Sequence, residues 1–218
     1  MQEKELLAET GGLFESTAEL FFSDGWHLDK DKEDAKVYSK KHNNRTIFKL
    51  QGVVDAAIEE MIDDLSPEKM HEIPTWNTTL KKLHCLQKLD DTTIIFYSAT
   101  HEFSAIISSR DQANLRKFGW KDGVGIFAYK TVQLDEVPPL KSVVRSESFE
   151  CCQAVWPVEE DKTKTNFAWM MNMDYKMPAL VPGKLFNEVC RWILLESMKC
   201  MHKHAKDKKA QREAEAKK

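Results

Sequence analysis

The broadest apolar pattern of the chain lies near its end, over residues 182–202. Placed at about 100° per residue, its apolar side chains form an arc wider than an ordinary surface helix needs. Glu196 is an exception, because it projects near the middle of that arc. The pattern predicts a helix that either caps the core of a sheet or closes a cavity. The apolar set is Leu185, Phe186, Val189, Cys190, Trp192, Ile193, Cys200 and Met201.

The first third of the chain mixes helical and strand patterns. Residues 3–22 predict an amphipathic helix. The charged run 29–34 resembles a calcium loop, but Asp34 and Lys40 replace the Gly and the Glu that such a loop requires, so it is interpreted as a solvated turn. Asp55 is the predicted N-cap of a helix. The other predicted elements are strands at 26–28, 36–40 and 46–54, a helix at 56–65 and a helical turn from 66 towards 76.

From residue 80 onward the apolar period changes to two, which predicts strands. Short turns between successive strands indicate an antiparallel meander, across which the final helix packs. This order of elements predicts an α+β fold. We predict one domain over residues 1–205 and a charged, flexible tail over 206–218, which is either a fraying helix or a disordered extension. The predicted strands are 80–89, 92–100, 111–118, 125–132, 146–156 and 165–174.

Composition excludes several classes of protein. The net charge of −3 gives no overall attraction to nucleic acid. The five cysteines lack C-x-x-C spacing, the N-terminus carries no apolar signal segment, and no apolar run is long enough to span a bilayer. We therefore predict a cytoplasmic protein with reduced thiols and no nucleic-acid partner. Only Cys200 and His204 of the group Cys200, His202 and His204 would share a helical face, so no metal site and no cofactor are predicted.

Polar side chains interrupt the predicted strand around residues 110–118. One phase carries Gln112, Asn114, Arg116 and Phe118. Either this strand faces water, or that phase lines a cavity dotted with polar groups. A buried arginine needs a hydrogen-bonding partner, and a polar anchor inside an apolar pocket orients a ligand. The neighbouring strands carry side chains suited to either a cavity lining or an ordinary core, namely Phe167, Trp169, Met171 and Met173 on one strand and Ile95 and Tyr97 on another.

The segment 100–109 carries Phe103, Ile106 and Ile107 without enough apolar residues for a core of its own. These side chains are either tucked under the loop or form a lid edge that touches a membrane. The chain has no G-x-S-x-G motif and no phosphate-binding loop, so no enzymatic activity is predicted.

Several spaced motifs lie along residues 26–202, nearly the whole chain. They are Trp76 with Asn77, the strand 83–89 (LHCLQKL), Ser109, Arg110 and Asp111 together with Arg116, the lysine and threonine step 162–165, and Asp174 with Pro182. Together these motifs resemble those of the START family of lipid-transfer domains.

The resemblance implies a helix-grip fold, in which a curved antiparallel sheet closes around its C-terminal helix and encloses a hydrophobic tunnel for one lipid. In sterol-binding relatives the arginine that matches Arg116 is paired with an acid on the preceding strand. Spacing places Tyr97 at that acid position. The Arg116 partner would then be the Tyr97 hydroxyl, Glu102, Glu196 or water, and a sterol preference is put in doubt.

The resemblance predicts a monomeric lipid-binding and lipid-transfer protein that contacts membranes peripherally and transiently and holds one sterol-like lipid or phospholipid. An alternative is a lipid-sensing adaptor, and a third class is an enzyme that would use Glu196 and Tyr97 near Arg116. The predicted membrane and lid residues are Phe103, Ile106, Ile107, Leu180 and Leu185. The predicted ligand-binding residues are Arg116, Tyr97, Asn114, Phe118, Trp169, Met171, Val189, Trp192, Ile193 and Glu196.

Overall fold

A large curved antiparallel sheet organises the chain, and the computed structural model describes residues 3–102 and 108–216 of it. The helices are α1 (Glu3–Phe22), α2 (Ile58–Asp64), α3 (Ile73–Trp76) and α4 (Gly183–Glu215), and a 3₁₀ turn spans Met70–Glu72. The strands are β1 (His27–Lys32), β2 (Ala35–His42), β3 (Arg45–Val54), β4 (Leu80–Lys88), β5 (Thr93–Thr100), β6 (Arg110–Lys121), β7 (Val124–Thr131), β8 (Val144–Arg145), β9 (Glu147–Ser148), β10 (Cys151–Pro157), β11 (Thr165–Met171) and β12 (Met173–Asp174).

From β4 to β11 the strand order follows the predicted meander, and β11 then pairs with β3 from the first part of the chain. Neighbours along the main path are β1-β2-β3-β11-β10-β7-β6-β5-β4, all antiparallel, while short β8 runs parallel beside β6 and β9 pairs with β12. Pairing of β3 with β11, for example Gln51 opposite Ala168, joins the first three strands to the rest. The predicted α+β, helix-grip architecture is confirmed.

The two faces of the sheet pack against different helices. The concave inner face carries Phe48, Leu50 and Phe167 against Ile193 and Met198 of α4. The outer face packs against α1, and its core includes Ile126, Ala154 and Met170 together with Leu13 and Phe21 of the helix. Because both faces are covered, the central strands are buried on both sides, and residues 93–97 of β5 are all buried.

Three local predictions can be compared with the structure. The predicted helix at residues 3–22 is confirmed as α1. The predicted turn at 29–34 is wrong in extent, because residues up to Lys32 pair with β2 and only residues 33–34 form the turn. The predicted capping role of Asp55 is also wrong. Helix α2 starts after Ala57 without a side-chain cap, and the Asp55 carboxylate instead accepts a 2.8 Å hydrogen bond from Lys209.

Helix α4 continues to Glu215, well beyond the predicted end near residue 202. Its basic distal end pairs with the acidic segment around α2. Lys208 Nζ lies 2.6 Å from Asp64, Lys209 pairs with Asp55, and Arg212 pairs with Glu60. Partners distant in sequence therefore hold a stretch that looks like a polar tail. The domain limit at residue 205 and the flexibility of 206–218 stay predictions.

Candidate functional site

A cavity lies between the inner face of the sheet and α4. About 1070 Å³ of space in and around it is free of protein atoms, including the part that is open to solvent. The interior volume that a water molecule could occupy is much smaller, about 110 Å³. Its walls are mainly apolar, with a few polar groups among them. Apolar lining side chains include Leu65, Met70, Leu83, Phe96, Phe167, Trp169, Ile193 and Met201.

Strand β6 supplies a row of polar side chains to this cavity. Arg110, Gln112, Asn114 and Arg116 alternate along the strand, and all four line the cavity and are buried. A strand places every second side chain on the same face, which explains why these four residues face the cavity together. The interpretation that this phase faces a polar-dotted cavity therefore holds, and the alternative that it faces bulk water is wrong.

Arg116 lies deep in this row with few protein partners. Its Nη1 donates a 2.8 Å hydrogen bond to the carbonyl of Leu65, and its guanidinium lies 5.1 Å from the ring centre of Phe127. Its buried Nε has no hydrogen-bond partner, and no ion pair with a carboxylate is present within residues 3–102 and 108–216. Burial lowers the pKa of Arg116 to about 10. The group therefore carries its positive charge at neutral pH.

The spacing of the family motif predicts Tyr97 as a cavity-side partner of Arg116, and the structure shows that this prediction is wrong. Strand β5 turns Phe96 and Ser98 inward and Tyr97 outward, where the tyrosine hydroxyl donates a 3.0 Å hydrogen bond to Asp111 Oδ2. Burial and this contact raise the pKa of Tyr97 to about 12. A shift of one residue moves a strand side chain to the other face, so the cavity side of β5 carries Phe96 and Ser98 and no acid.

The other proposed partners of Arg116 are also engaged elsewhere. Glu196 forms a 3.2 Å ion pair with Lys199. Glu102 is exposed and lines a separate crevice with His101, Glu188 and Trp192. Neither carboxylate lines the cavity, so they supply no counterion there.

Gln112 and Asn114 are held in a closed hydrogen-bond network. The Gln112 amide donates to Ser146 at 2.8 Å and accepts from Ser148 at 2.8 Å. Asn114 donates to Gln112 at 3.2 Å and accepts from Thr131 at 3.0 Å. These amides are satisfied by protein groups, so they shape the wall rather than wait for a ligand.

Gln153 on β10 differs from those two amides. It faces the cavity opposite Trp169, and its amide makes no hydrogen bond within the described part of the chain. Beside it, Trp169 donates a 2.9 Å hydrogen bond to the Tyr129 hydroxyl, which fixes the indole against the wall. Gln153 can therefore hydrogen-bond a polar group of a ligand.

The opposite end of the polar row is more fully bonded. Arg110 Nε donates to the Tyr175 carbonyl at 3.1 Å, and its Nη1 donates to the Ser108 carbonyl. Its neighbour Asp111 turns to the outer face and forms a two-pronged ion pair with Arg145 at 2.8 and 3.0 Å. The Arg110 and Asp111 side chains thus stabilise the fold on opposite faces of one strand.

Four of the ten predicted ligand-binding residues line the cavity: Arg116, Asn114, Trp169 and Ile193. Phe118 and Met171 pack into the inner core beside it, and Phe118 stacks on Phe127 at 4.5 Å. Val189 and Trp192 line the separate crevice that also contains Glu102. Phe103, Ile106 and Ile107 lie outside the described residues, whereas Leu180 and Leu185 are exposed.

Sequence reasoning missed several polar groups that line the cavity. Thr79 donates to Asn77 at 2.7 Å and lies 3.1 Å from the Ser197 hydroxyl, which joins the start of β4 to α4. Asn77 belongs to the Trp-Asn motif, which was a usable signal. Ser98 and Gln153 carried none, because an isolated polar residue in a strand is usually solvent-exposed.

Within residues 3–102 and 108–216, no helix is both long and apolar enough to cross a membrane. Among the same residues, no three His, Cys, Asp or Glu side chains come together as metal ligands would. Burial raises the pKa of the Cys151 and Cys190 thiols to about 12, so both are protonated at neutral pH.

Comparison with known proteins gives one family. The sequence model of the START domain matches residues 19–211. The horse steroidogenic acute regulatory protein is 27% identical over 173 residues, which are 76% of this chain and 58% of that protein. The chain thus spans less than two thirds of the length of this relative. Human StAR-related lipid transfer protein 5 superposes with a TM-score of 0.84 at 18% identity, covering 94% of this chain and 99% of the other. An aromatase/cyclase from Streptomyces sp. R1128 shares the fold at a TM-score of 0.51 and 8% identity, covering 72% of this chain and 94% of the other.

Proposed function

The chain belongs to the START domain family, and on that premise we propose that it binds one lipid in the cavity and exchanges it at membranes. The observation that carries this proposal is the mainly apolar cavity beneath α4. Each 100 Å² of apolar ligand surface removed from water contributes about 2.5 kcal/mol, so such a wall supplies the affinity. Arg116, whose Nε has no protein partner among the described residues, then orients the ligand.

Exposed apolar side chains mark the proposed membrane-contact face. Leu180 is 94% exposed, Leu185 is 47% exposed and Trp192 is 51% exposed, all near the start of α4. The crevice beside Trp192 and the cavity share Thr79 in their walls, which supports a route from this face to the interior. Phe103, Ile106 and Ile107, which the sequence predicts to touch the membrane, lie outside the described residues.

Ligand passage requires the cavity walls to separate, because little of the interior is open to a water-sized sphere. The distal end of α4 is held by Asp55, Glu60 and Asp64. Among the described residues its N-terminal half makes no ion pair to α2, but Arg191 and Glu188 pair with Asp29 and Lys30 of β1. The exposed Leu185 lies before these pairs, so we place the opening movement in the first turn of α4, before Glu188.

Native mass spectrometry of the purified protein, followed by transfer between two vesicle populations, tests the proposal. We expect a one-to-one lipid adduct and protein-dependent transfer. The variant Ser98→Phe fills the cavity from β5 and should abolish both. Ser16→Phe, at an exposed position of α1 on the other side of the sheet, is the matched control and should keep both. Absence of uptake of every lipid class by the folded wild-type protein would refute the proposal.

A second candidate function is a lipid-sensing adaptor. Trp76 lines the cavity and stacks on His204 of α4 at 4.4 Å and 12°, so an occupied cavity contacts the distal helix directly. Deleting residues 206–218 separates the two functions. Transfer should survive the deletion, whereas binding to a protein partner should be lost if the adaptor function holds.

No reaction is proposed. The two groups considered for an acid and base pair do not converge on Arg116, because Tyr97 faces the other side of the sheet and Glu196 pairs with Lys199. A monomeric state and a cytoplasmic, peripherally membrane-associated location complete the proposal. Gel filtration and cell fractionation test these two statements.

A further inference from the structure

The charge balance of the cavity is unequal. Two arginines, Arg110 and Arg116, line it, and no aspartate or glutamate among the described residues does. We propose that the cavity takes an amphiphile with one acidic group, a carboxylate or a sulfate, and that Arg116 is the counterion of that group. This inference rests on the lipid-binding function proposed above, and it names the ligand class.

The guanidinium of Arg116 has hydrogen-bond donors without a protein partner, and an acidic group would accept from them. It is 5% exposed, it makes one hydrogen bond to a backbone carbonyl, and its Nε has no partner. Burying a charge without a counterion is costly, whereas a carboxylate or sulfate accepts two parallel hydrogen bonds from a guanidinium. The aromatic ring of Phe127, at 5.1 Å, compensates only part of that charge.

The protein offers no internal substitute for this anion. All aspartate and glutamate side chains of the chain belong to the described residues. On the preceding strand, Ser98 stands on the cavity side, and Tyr97 and Asp111 pair with each other on the outer face. Glu68, the carboxylate that most affects Arg116, is itself paired with Lys88 at the surface. An external acid is therefore the available partner.

The two arginines are not equivalent. Arg110 is bonded to the carbonyls of Tyr175 and Ser108, while Arg116 retains free donors. They are six residues apart on one strand, which is about 20 Å at 3.3 Å per residue. An acidic group at Arg116 thus leaves the apolar body lying along Phe96 and Trp169 towards the other end. The Gln153 amide can bond a hydroxyl on that body.

Binding of matched probe pairs tests the inference. One pair is cholanic acid and its methyl ester, and the other is cholesterol sulfate and cholesterol; each pair shares one apolar body and differs in charge. Quenching of tryptophan fluorescence reports binding, because Trp76 and Trp169 line the cavity. We expect the charged member of at least one pair to bind at least about tenfold more tightly to the wild-type protein. The pair that shows the preference identifies the acid as carboxylate or sulfate.

Three variants assign the preference to one side chain. Arg116→Gln should bring the two members of the pair to within about threefold, and Arg116→Lys, which keeps the charge, should retain the preference. Lys121→Gln, at the end of the same strand where Lys121 pairs with Glu15 outside the cavity, is the matched control and should also retain it. Circular dichroism checks that each variant folds.

The inference fails if charged and neutral probes bind the wild-type protein equally, or if Arg116→Gln leaves the preference unchanged in a folded protein. In either case the proposed lipid-binding function stands, since the neutral probe still binds. Binding of neither probe, together with no uptake of any vesicle lipid, overturns the proposed function as well. The two failures are thereby distinguished.

Discussion

The two faces of the sheet carry side chains of different size, although these come from neighbouring residues of the same strands. On the outer face, Ala128, Ala154 and Ala168 are small and fully buried, so α1 packs directly against the backbone. On the inner face of the same strands, Phe167 and Trp169 are large. Small residues bring a helix close to a sheet, whereas large aromatic residues keep it away. The difference in side-chain size accounts for a filled outer layer and a cavity inside.

Asp111 and Arg116 show a second difference between the two faces, in the pairing of a buried charge. On the outer side, Asp111 is paired with Arg145 and accepts a hydrogen bond from Tyr97. On the inner side, Arg116 has a single carbonyl as its acceptor. A charge paired within the protein stabilises one conformation, and a charge left unpaired is available to a ligand.

Breaking the outer ion pair should have the largest effect. The variant Asp111→Asn leaves Arg145 without its counterion, and we expect the free energy of unfolding to fall by about 3 kcal/mol. Arg116→Gln on the inner face should lower it by about 1 kcal/mol or less, because no carboxylate loses its partner. Urea unfolding of both variants measures the difference. An equal loss in the two variants would contradict the distinction between paired and unpaired charge.

Side-chain size provides a second, smaller test. Ala168→Leu adds volume where α1 meets the sheet, so we expect a loss of about 2 kcal/mol in unfolding free energy from overpacking. Ser98→Phe extends into the cavity and should cost less than about 1 kcal/mol while it blocks lipid uptake. Thermal denaturation followed by circular dichroism compares them. A larger loss for Ser98→Phe would mean that the inner layer is as tightly filled as the outer one.

Lys49 tests the outer layer through its pH dependence. Its Nζ donates to the Phe21 carbonyl at 3.2 Å and lies 4.2 Å from the Trp26 ring, and burial lowers its pKa to about 8. Between about pH 8 and 10.5 the unfolded chain holds this proton and the folded one does not. The contribution of Lys49 to the free energy of unfolding therefore increases from about pH 8 to 10.5, and it is lost as the pH falls back through this range.

We expect the wild-type protein to gain about 2 kcal/mol in unfolding free energy relative to Lys49→Met from pH 8 to 10.5. Taking the difference between the two proteins cancels the titration of the buried thiols. A difference that stays constant with pH would show that Lys49 keeps its ordinary pKa.

Periodicity predicts most of the fold and only part of the site. The boundaries of α1 and the order of the strands follow from local patterns, because a helix or strand exposed on one side repeats its apolar residues. Strand β5 lacks this signal. Residues 93–97 are buried on both faces, so Ile95 and Tyr97 cannot be told from Phe96 and Ser98 by polarity. The family spacing placed Tyr97 on the cavity side, whereas Phe96 and Ser98 face the cavity in the structure.

Contacts between distant segments account for the other differences. Residues after 202 of α4 are too polar to predict a packed helix, yet Lys208 and Lys209 find Asp64 and Asp55, which lie more than a hundred residues earlier. The closed network around Gln112 likewise depends on Ser146 and Ser148, which follow a long connection. A single-sequence pattern holds no information about such pairings.

An open sheet has two edge strands, and the charges on them bear on aggregation. The path ends at β1 and β4, whose unpaired backbone groups could template another strand. Both edges carry lysines that point to solvent, such as Lys32 on β1 and Lys81, Lys82 and Lys88 on β4. Like charges on approaching copies repel, so edge-to-edge aggregation is disfavoured. The sheet can therefore stay open without the closure that a barrel would need.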